Sequence, residues 1–177
     1  LIAISAVLFP VLIAFKFILG IRINIPMSYK GKYKPNFPRK YKGNPTNIIY
    51  RSLWERNCMV YFDQNPDVLE WASEEVIVPY KSPIDGRWHR YFPDFIVKVK
   101  DKTKQIKTIM IEVKPHAQTK EPKVRTKVTK RYLYEVSTYG INIAKWEAAK
   151  EFCADRNWKF MILTEKELGI KYGNSIR

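Results

Sequence analysis

Asp94, Glu112 and Lys114 stand in the stretch RYFPDFIVKVKDKTKQIKTIMIEVKP, residues 90–115, where the segments on either side of the polar KDKTKQ read as apolar strands. Charges in such strands need a partner or a purpose. A hairpin closed over Lys100 and Ile106 puts Asp94 directly opposite Glu112. Facing residues of an antiparallel pair share a face with their Cβ atoms about 4.5–5.5 Å apart, so the two carboxylates converge. Lys114 falls on that face about 7 Å further along. A slip of one residue would turn Asp94 and Glu112 to opposite faces. Two facing carboxylates repel unless something positive lies between them, and a hard divalent cation preferring oxygen ligands, such as Mg²⁺, is the natural partner. Such an ion lowers the pKa of a bound water and neutralises charge developing on a phosphodiester. An ammonium alongside can orient or deprotonate the water, or steady the transition state. The bland reading is that the acids are solvated on an open face and Lys114 forms a surface ion pair, because a loosely spaced D…E-x-K recurs by chance. Against it, Pro93-Asp94 begins an apolar run, Glu112-Val113-Lys114 ends one, and the protein around them is basic.

The chain has 177 residues, 46% of them apolar, which suits one domain with a real core. With 32 Lys and Arg against 17 Asp and Glu, its net charge of +15 calls for a polyanionic partner, most simply nucleic acid, although a membrane surface or an acidic protein would also answer it. Cys58 and Cys153 lack metal-type spacing and imply neither a disulfide scaffold nor a zinc site, so a reducing compartment is the default. Residues 1–26, LIAISAVLFPVLIAFKFILGIRINIP, carry no acid and only Lys16 and Arg22. Their apolar run approaches the roughly 20 residues that span a bilayer, but no basic region precedes it and no A-x-A pattern follows. Met27 then opens a strongly basic stretch suited to a start. Residues 1–26 are therefore expected to be an extension outside the fold, with a membrane anchor as the alternative. Without them the charge remains strongly positive. Residues 27–45, MSYKGKYKPNFPRKYKGNP, show no period and read as a basic arm that orders on a phosphate backbone through Lys30, Lys32, Arg39 and Lys40.

The spacing of Ile49, Leu53, Val60 and of Trp54, Cys58, Tyr61 predicts a helix capped by Thr46 or Asn47 and ended by Asn65-Pro66. A strand in VLEWASEEVIVPY, a reversal at Asp85-Gly86, a second strand through FIVKVK and a third in IKTIMIEVK make a meander. Pro122 and Gly140 break the basic stretch that follows, with a helix around VTKRYLYEVS. Asn142 is expected to cap a last helix whose apolar face is Ile143, Trp146, Ala149, Phe152 and Cys153. KFMILTE reads as a buried strand, and Thr164 with Glu167 fits a capping box. The order implies a mixed α/β sheet flanked by helices.

On these residues, Pro93-Asp94 followed by Glu112-x-Lys114 resembles the PD-(D/E)xK nuclease superfamily. Its restriction-endonuclease-like core is a helix, a three-strand meander, a helix and a further strand. The phrases MSYKGKYKP, NIIYRSLWER, VLEWASEE, HRYFPDF and EVKPHAQT resemble the head completion nucleases of T-even-type tailed phages, a TnsA-like branch of that superfamily, over nearly everything from Met27 onward. The resemblance implies a nuclease domain over residues 46–177 and a metal site of Asp94, Glu112, the Val113 carbonyl and Glu55, holding Mg²⁺ or Mn²⁺, with Lys114 in catalysis. Judged alone, Glu55 would be a surface partner of Arg51 one turn back. The implied activity is a metal-dependent DNA endonuclease in head completion and packaging, with head, portal or neck proteins as partners, in the host cytoplasm during assembly or in the virion. A non-enzymatic DNA-binding or neck-adaptor protein is the alternative, since it would keep the basic segments and need no metal.

Lys120, Lys123, Arg125, Lys127, Lys130 and Arg131 follow the proposed catalytic strand and read as a track for the DNA backbone rather than a merely solvated face. His89 and His116 lack the spacing of a zinc or HNH site. His116, just past that strand, is a candidate substrate contact. Trp71, Trp146 and Trp158 lie in periodic apolar context and are expected in the core.

Overall fold

The computed structural model describes residues 30–168, so the expectations for residues 1–26 lie outside the described part. Gly31–Tyr33 (β1) pairs antiparallel with Ile48–Tyr50 (β2), and helix α1 follows at Leu53–Gln64. The strands β3 (Val68–Ser73), β4 (Val78–Lys81), β5 (Trp88–Tyr91), β6 (Phe95–Lys100) and β7 (Ile106–Val113) precede helix α2 (Lys130–Ala154) and β8 (Lys159–Leu163). The central sheet runs β3-β6-β7-β8, antiparallel up to β7 and parallel between β7 and β8. A parallel neighbour needs a long crossover, and α2 supplies it. The expected mixed sheet flanked by helices is the one observed.

Alternation along the strands divides the core into two layers. Phe95, Val97, Val99, Ile109, Ile111 and Val113 face α1 and meet Trp54, Cys58, Met59 and Phe62. Ile96 and Met110 face the other way, toward Ala149 and Cys153 of α2 and Val78, Tyr80 and Tyr91 of the β4–β5 hairpin. The register that decides these faces is Lys100↔Ile106 through Phe95↔Ile111, as the hairpin argument expected. Its loop is locally determined: Asp101 Oδ1 accepts from the N–H groups of Thr103 and Gln105 and from the Thr103 hydroxyl. Turn geometry of this kind pins a register.

Four expectations are corrected. First, VLEWASEEVIVPY is not one strand. The chain breaks at Glu74, whose φ is 55°, and β4 pairs only with β5, forming a separate two-stranded ribbon. Asp85-Gly86 does reverse this ribbon, with Gly86 at φ 66°.

Second, α1 begins later than Thr46 or Asn47. Ser52 is its cap, accepting from the Glu55 N–H at 3.1 Å while Glu55 Oε2 accepts from the Arg51 N–H at 2.7 Å. This is a capping box displaced one step outward at its second bond. Residues 48–50 are extended because β1 pairs with them. Third, α2 is one helix capped by Thr129, and Asn142 lies buried inside it. Gly140 costs a helix only about 1 kcal/mol, which packing of the C-terminal half on the sheet offsets.

The fourth correction concerns the basic arm, which is built into the fold from residue 31. Tyr33 and Tyr41 pack edge-on around Trp71, with ring centroids at 5.9 and 4.7 Å. The fully buried Asp63 carboxylate of α1 accepts from Tyr33 Oη and from the N–H groups of Asn36 and Phe37 at 3.1, 2.7 and 3.1 Å. Lys40 Nζ donates to the carbonyls of Asp63 and Asn65, so it serves this anchor rather than DNA. Lys30, Lys32 and Arg39 stay exposed.

Asp63→Ala removes the acceptor of two backbone donors and a phenol at once. It should lower stability by about 3 kcal/mol or more, read as a shifted urea midpoint, because each donor left buried without a partner carries its own cost.

Candidate active site

The β6–β7 ladder stops where Pro93, which has no N–H, would continue it. Asp94 takes over that place with its side chain: Oδ2 accepts from the Val113 N–H at 2.6 Å. Among the described residues Oδ1 accepts no hydrogen bond. Glu112 is buried, 3% exposed, on the α2 face of the sheet. Its Oε2 accepts from Tyr91 Oη at 2.6 Å, and its Oε1 pairs with Lys114 Nζ at 2.9 Å. The three charges singled out in the sequence are thus gathered at the carboxyl end of β7.

Burial first, and then the Glu112 charge, push the Asp94 carboxyl well above the usual carboxylate range, against the pull of Lys114 and the Val113 N–H. Burial works against the Lys114 ammonium as well, but Glu112 and Asp94 outweigh it and its pKa is raised. Lys114 is therefore a cation at neutral pH and a poor proton acceptor. Tyr91, buried beside Glu112, has its pKa raised and stays a neutral donor.

Two further side chains reach the site without having been picked out in the sequence. Tyr91 of β5 fixes the Glu112 carboxylate. Lys145 of α2 lies with its ammonium 5.6 Å from the ring centres of both Tyr80 and Tyr91, and it feels the charges of Glu112, Lys114 and Asp94. A signal for Lys145 existed: it shares a helical stripe with Ile141, Ala149 and Cys153, and a lone charge on a buried stripe is out of place. For Tyr91 there was none, because its contact depends on how the ribbon leaves the sheet.

Glu55 is close enough to add to the upward push on Asp94, yet both its oxygens are committed to the cap, Oε1 to Ser52 Oγ at 2.9 Å and Oε2 to the Arg51 N–H. The Arg51 guanidinium pairs with Glu74 instead. Among the described residues no three His, Cys, Asp or Glu side chains form a metal-binding group. His116 donates its N–H to Glu165 and places Nε2 2.9 Å from Lys166 Nζ, near the end of β7. Lys120, Lys123 and Lys127 are exposed on the segment from β7 into α2, and Lys130 is exposed at the start of α2. Arg125 and Arg131 on the same path are both held by Glu135.

A fold of this topology with paired acids and a lysine at the end of its central hairpin defines a class of nuclease, and residues 65–165 match the TnsA-like endonuclease N-terminal family. The chain belongs to that family and is an endonuclease. It is also 38% identical over 152 residues to the head completion nuclease of Enterobacteria phage T4, which covers 82% of this chain and 99% of that protein. No helix among the described residues is long and apolar enough to cross a membrane.

The raised Asp94 pKa carries a stability consequence. The unfolded chain ionises Asp94 at the ordinary value of about 3.9, whereas the folded protein does so only at higher pH, so the folded state loses stability as pH rises between the two. With a chelator present at neutral pH, Asp94→Asn should therefore raise Tm by about 3 °C or more, and the gap should close toward the ordinary carboxylate pKa. A lower Tm for Asp94→Asn at neutral pH would contradict this account of the site.

Proposed function

We propose that the chain is a Mg²⁺-dependent endodeoxyribonuclease, with Mn²⁺ able to substitute, that hydrolyses phosphodiester bonds of phage DNA during head completion. The observation that carries this reading is the convergence of Asp94, Glu112 and Lys114 at the end of β7. The relative from phage T4 supports the biological setting and, with it, head, portal or neck proteins as partners. That setting would put the protein in the host cytoplasm during assembly or in the virion.

The donor set fits a hard divalent cation. Asp94 keeps an oxygen uncommitted, its charge is poorly compensated by Lys114 alone, and Mg²⁺ binds through one or two carboxylates with water filling the remaining positions. Asp94 would hold it through that free oxygen and Glu112 through the lone pairs left beside Tyr91 and Lys114, with the Val113 carbonyl next along β7. Bound there, the cation would acidify a water and neutralise charge developing on the phosphate.

The chain's own groups do the rest. Tyr91 and Lys114 fix the Glu112 carboxylate in one orientation, and the Lys114 ammonium, charged at neutral pH, faces the phosphate and stabilises its extra negative charge in the transition state. Glu55 would join the site only by giving up its cap. The exposed lysines from Lys120 to Lys130, together with His116, Lys30, Lys32 and Arg39, hold the DNA backbone.

Supercoiled plasmid should be nicked with Mg²⁺ and not with EDTA, and Lys114→Ala or Asp94→Ala should lower the rate about 100-fold or more. A Lys114→Ala protein that cuts as well as its parent removes the mechanism. Because protons and the cation compete for Asp94, activity should fall in acid, and the fall should begin at higher pH when Mg²⁺ is scarce. Lys123→Ala and Lys127→Ala should weaken DNA binding alike for all sequences and reduce the salt slope by about one unit each, measured by titration at several ionic strengths.

A further inference from the structure

The β4–β5 ribbon has two unlike faces. Val78, Tyr80 and Tyr91 turn inward onto α2, while Lys81 opposite Trp88 and Pro79 opposite Arg90 turn outward. Trp88 is 72% exposed, the most exposed tryptophan in a protein that buries Trp54, Trp71 and Trp146. Phe92, 40% exposed, follows before Asp94. Trp88 and Arg90 on β5, with Phe92 just past its end, therefore lead toward the candidate site, and Arg87 and Lys81 are exposed beside them. Trp88 lies about 10 Å from Tyr91 along β5, and Tyr91 holds Glu112. The ribbon is not free to drift from the site. Its turn is fixed by the Ser82 N–H to Arg87 carbonyl bond at 2.9 Å and by the Gly86 N–H to Ser82 carbonyl bond at 2.9 Å, and Asp85 in the turn is occupied by His89.

We propose that the outward face of this ribbon binds unpaired nucleotides of DNA, with Trp88 stacking on a base and Arg90 and Lys81 on the flanking phosphates, so that the protein engages DNA where the duplex is open. The proposal rests on the endonuclease reading and adds a substrate preference to it. An indole offers a flat π surface and a single donor, too little to read base edges in a groove. In an intact duplex each base face is covered by its neighbours, so a flat ring finds a partner only at a frayed end, gap or single-stranded tail. Aromatic rings interleaved with cations are what non-specific single-strand recognition uses.

The test uses the full chain in EDTA, so that nothing is cut, with a flush duplex and the same duplex carrying a single-stranded tail. Fluorescence anisotropy of labelled DNA should show Trp88→Ala binding the tailed DNA about tenfold or more weakly while the flush duplex changes by less than about twofold, and Trp88→Phe should keep most of the preference. Tryptophan emission of the parent should be quenched by a single strand, with the quench largely lost in Trp88→Phe. If Trp88→Ala binds both DNAs like the parent, or loses both equally, the proposal is overturned. Plasmid nicking in Mg²⁺ separates the two readings. A protein that nicks but shows no Trp88-dependent preference refutes only the ribbon proposal, while one that binds tails through Trp88 and never nicks upholds the ribbon and removes the Mg²⁺-dependent mechanism proposed above.

Discussion

Like charges placed side by side in a sheet oppose folding, and this protein holds Asp94 and Glu112 together at the end of its central hairpin. The cost is visible in the raised Asp94 pKa, and the structure offsets it with a half-buried ammonium, a phenol and a backbone N–H. Each of those groups comes from a different place: Lys114 just beyond β7, Tyr91 from the ribbon and Val113 from β7 itself. Lys145 of α2 adds a second, partly buried cation nearby. The electrostatic problem therefore draws on the same elements that share the α2 layer of the core. The proposed divalent cation would relieve that cost.

The two layers divide the labour. The α1 layer is buried and aromatic, with Trp71, Phe62 and Phe95 at its centre. The α2 layer holds the candidate site, because Glu112 lies on the same side as Met110, facing the helix that brings Lys145. A strand with period two can serve both layers only if its register does not move. That register depends on the loop at Asp101 and on the Phe95↔Ile111 end of the ladder. Changes far from the acids could therefore disturb them by letting the hairpin slip.

Charge alone is a poor guide to which basic residues meet DNA. Lys40 looks like its neighbours in the sequence yet spends its ammonium on two carbonyls behind Asp63, and Arg125 and Arg131 are tied to Glu135. The lysines between Lys120 and Lys130 have no such tie among the described residues. A basic segment can be part of the core's packing when tyrosines alternate with its lysines, as Tyr33 and Tyr41 do here. Alternation of that kind is a strand signal hidden under the charge.

What the sequence determined by itself was the hairpin and the meeting of its charged residues. Period-two alternation, the polar loop and the spacing from Asp94 to Glu112 and Lys114 are local properties, and local properties survive folding unchanged. The C-terminal capping box at Thr164 and Glu167 and the reversal at Asp85-Gly86 were legible for the same reason. Tertiary structure decided what depends on distant partners: that residues 48–50 pair with β1 and delay the helix, that α2 runs through Gly140, that Asp63 recruits the basic segment, and that Tyr91 and Lys145 reach the acids. None of these follows from a window of sequence, because each is settled by a contact between residues far apart in the chain.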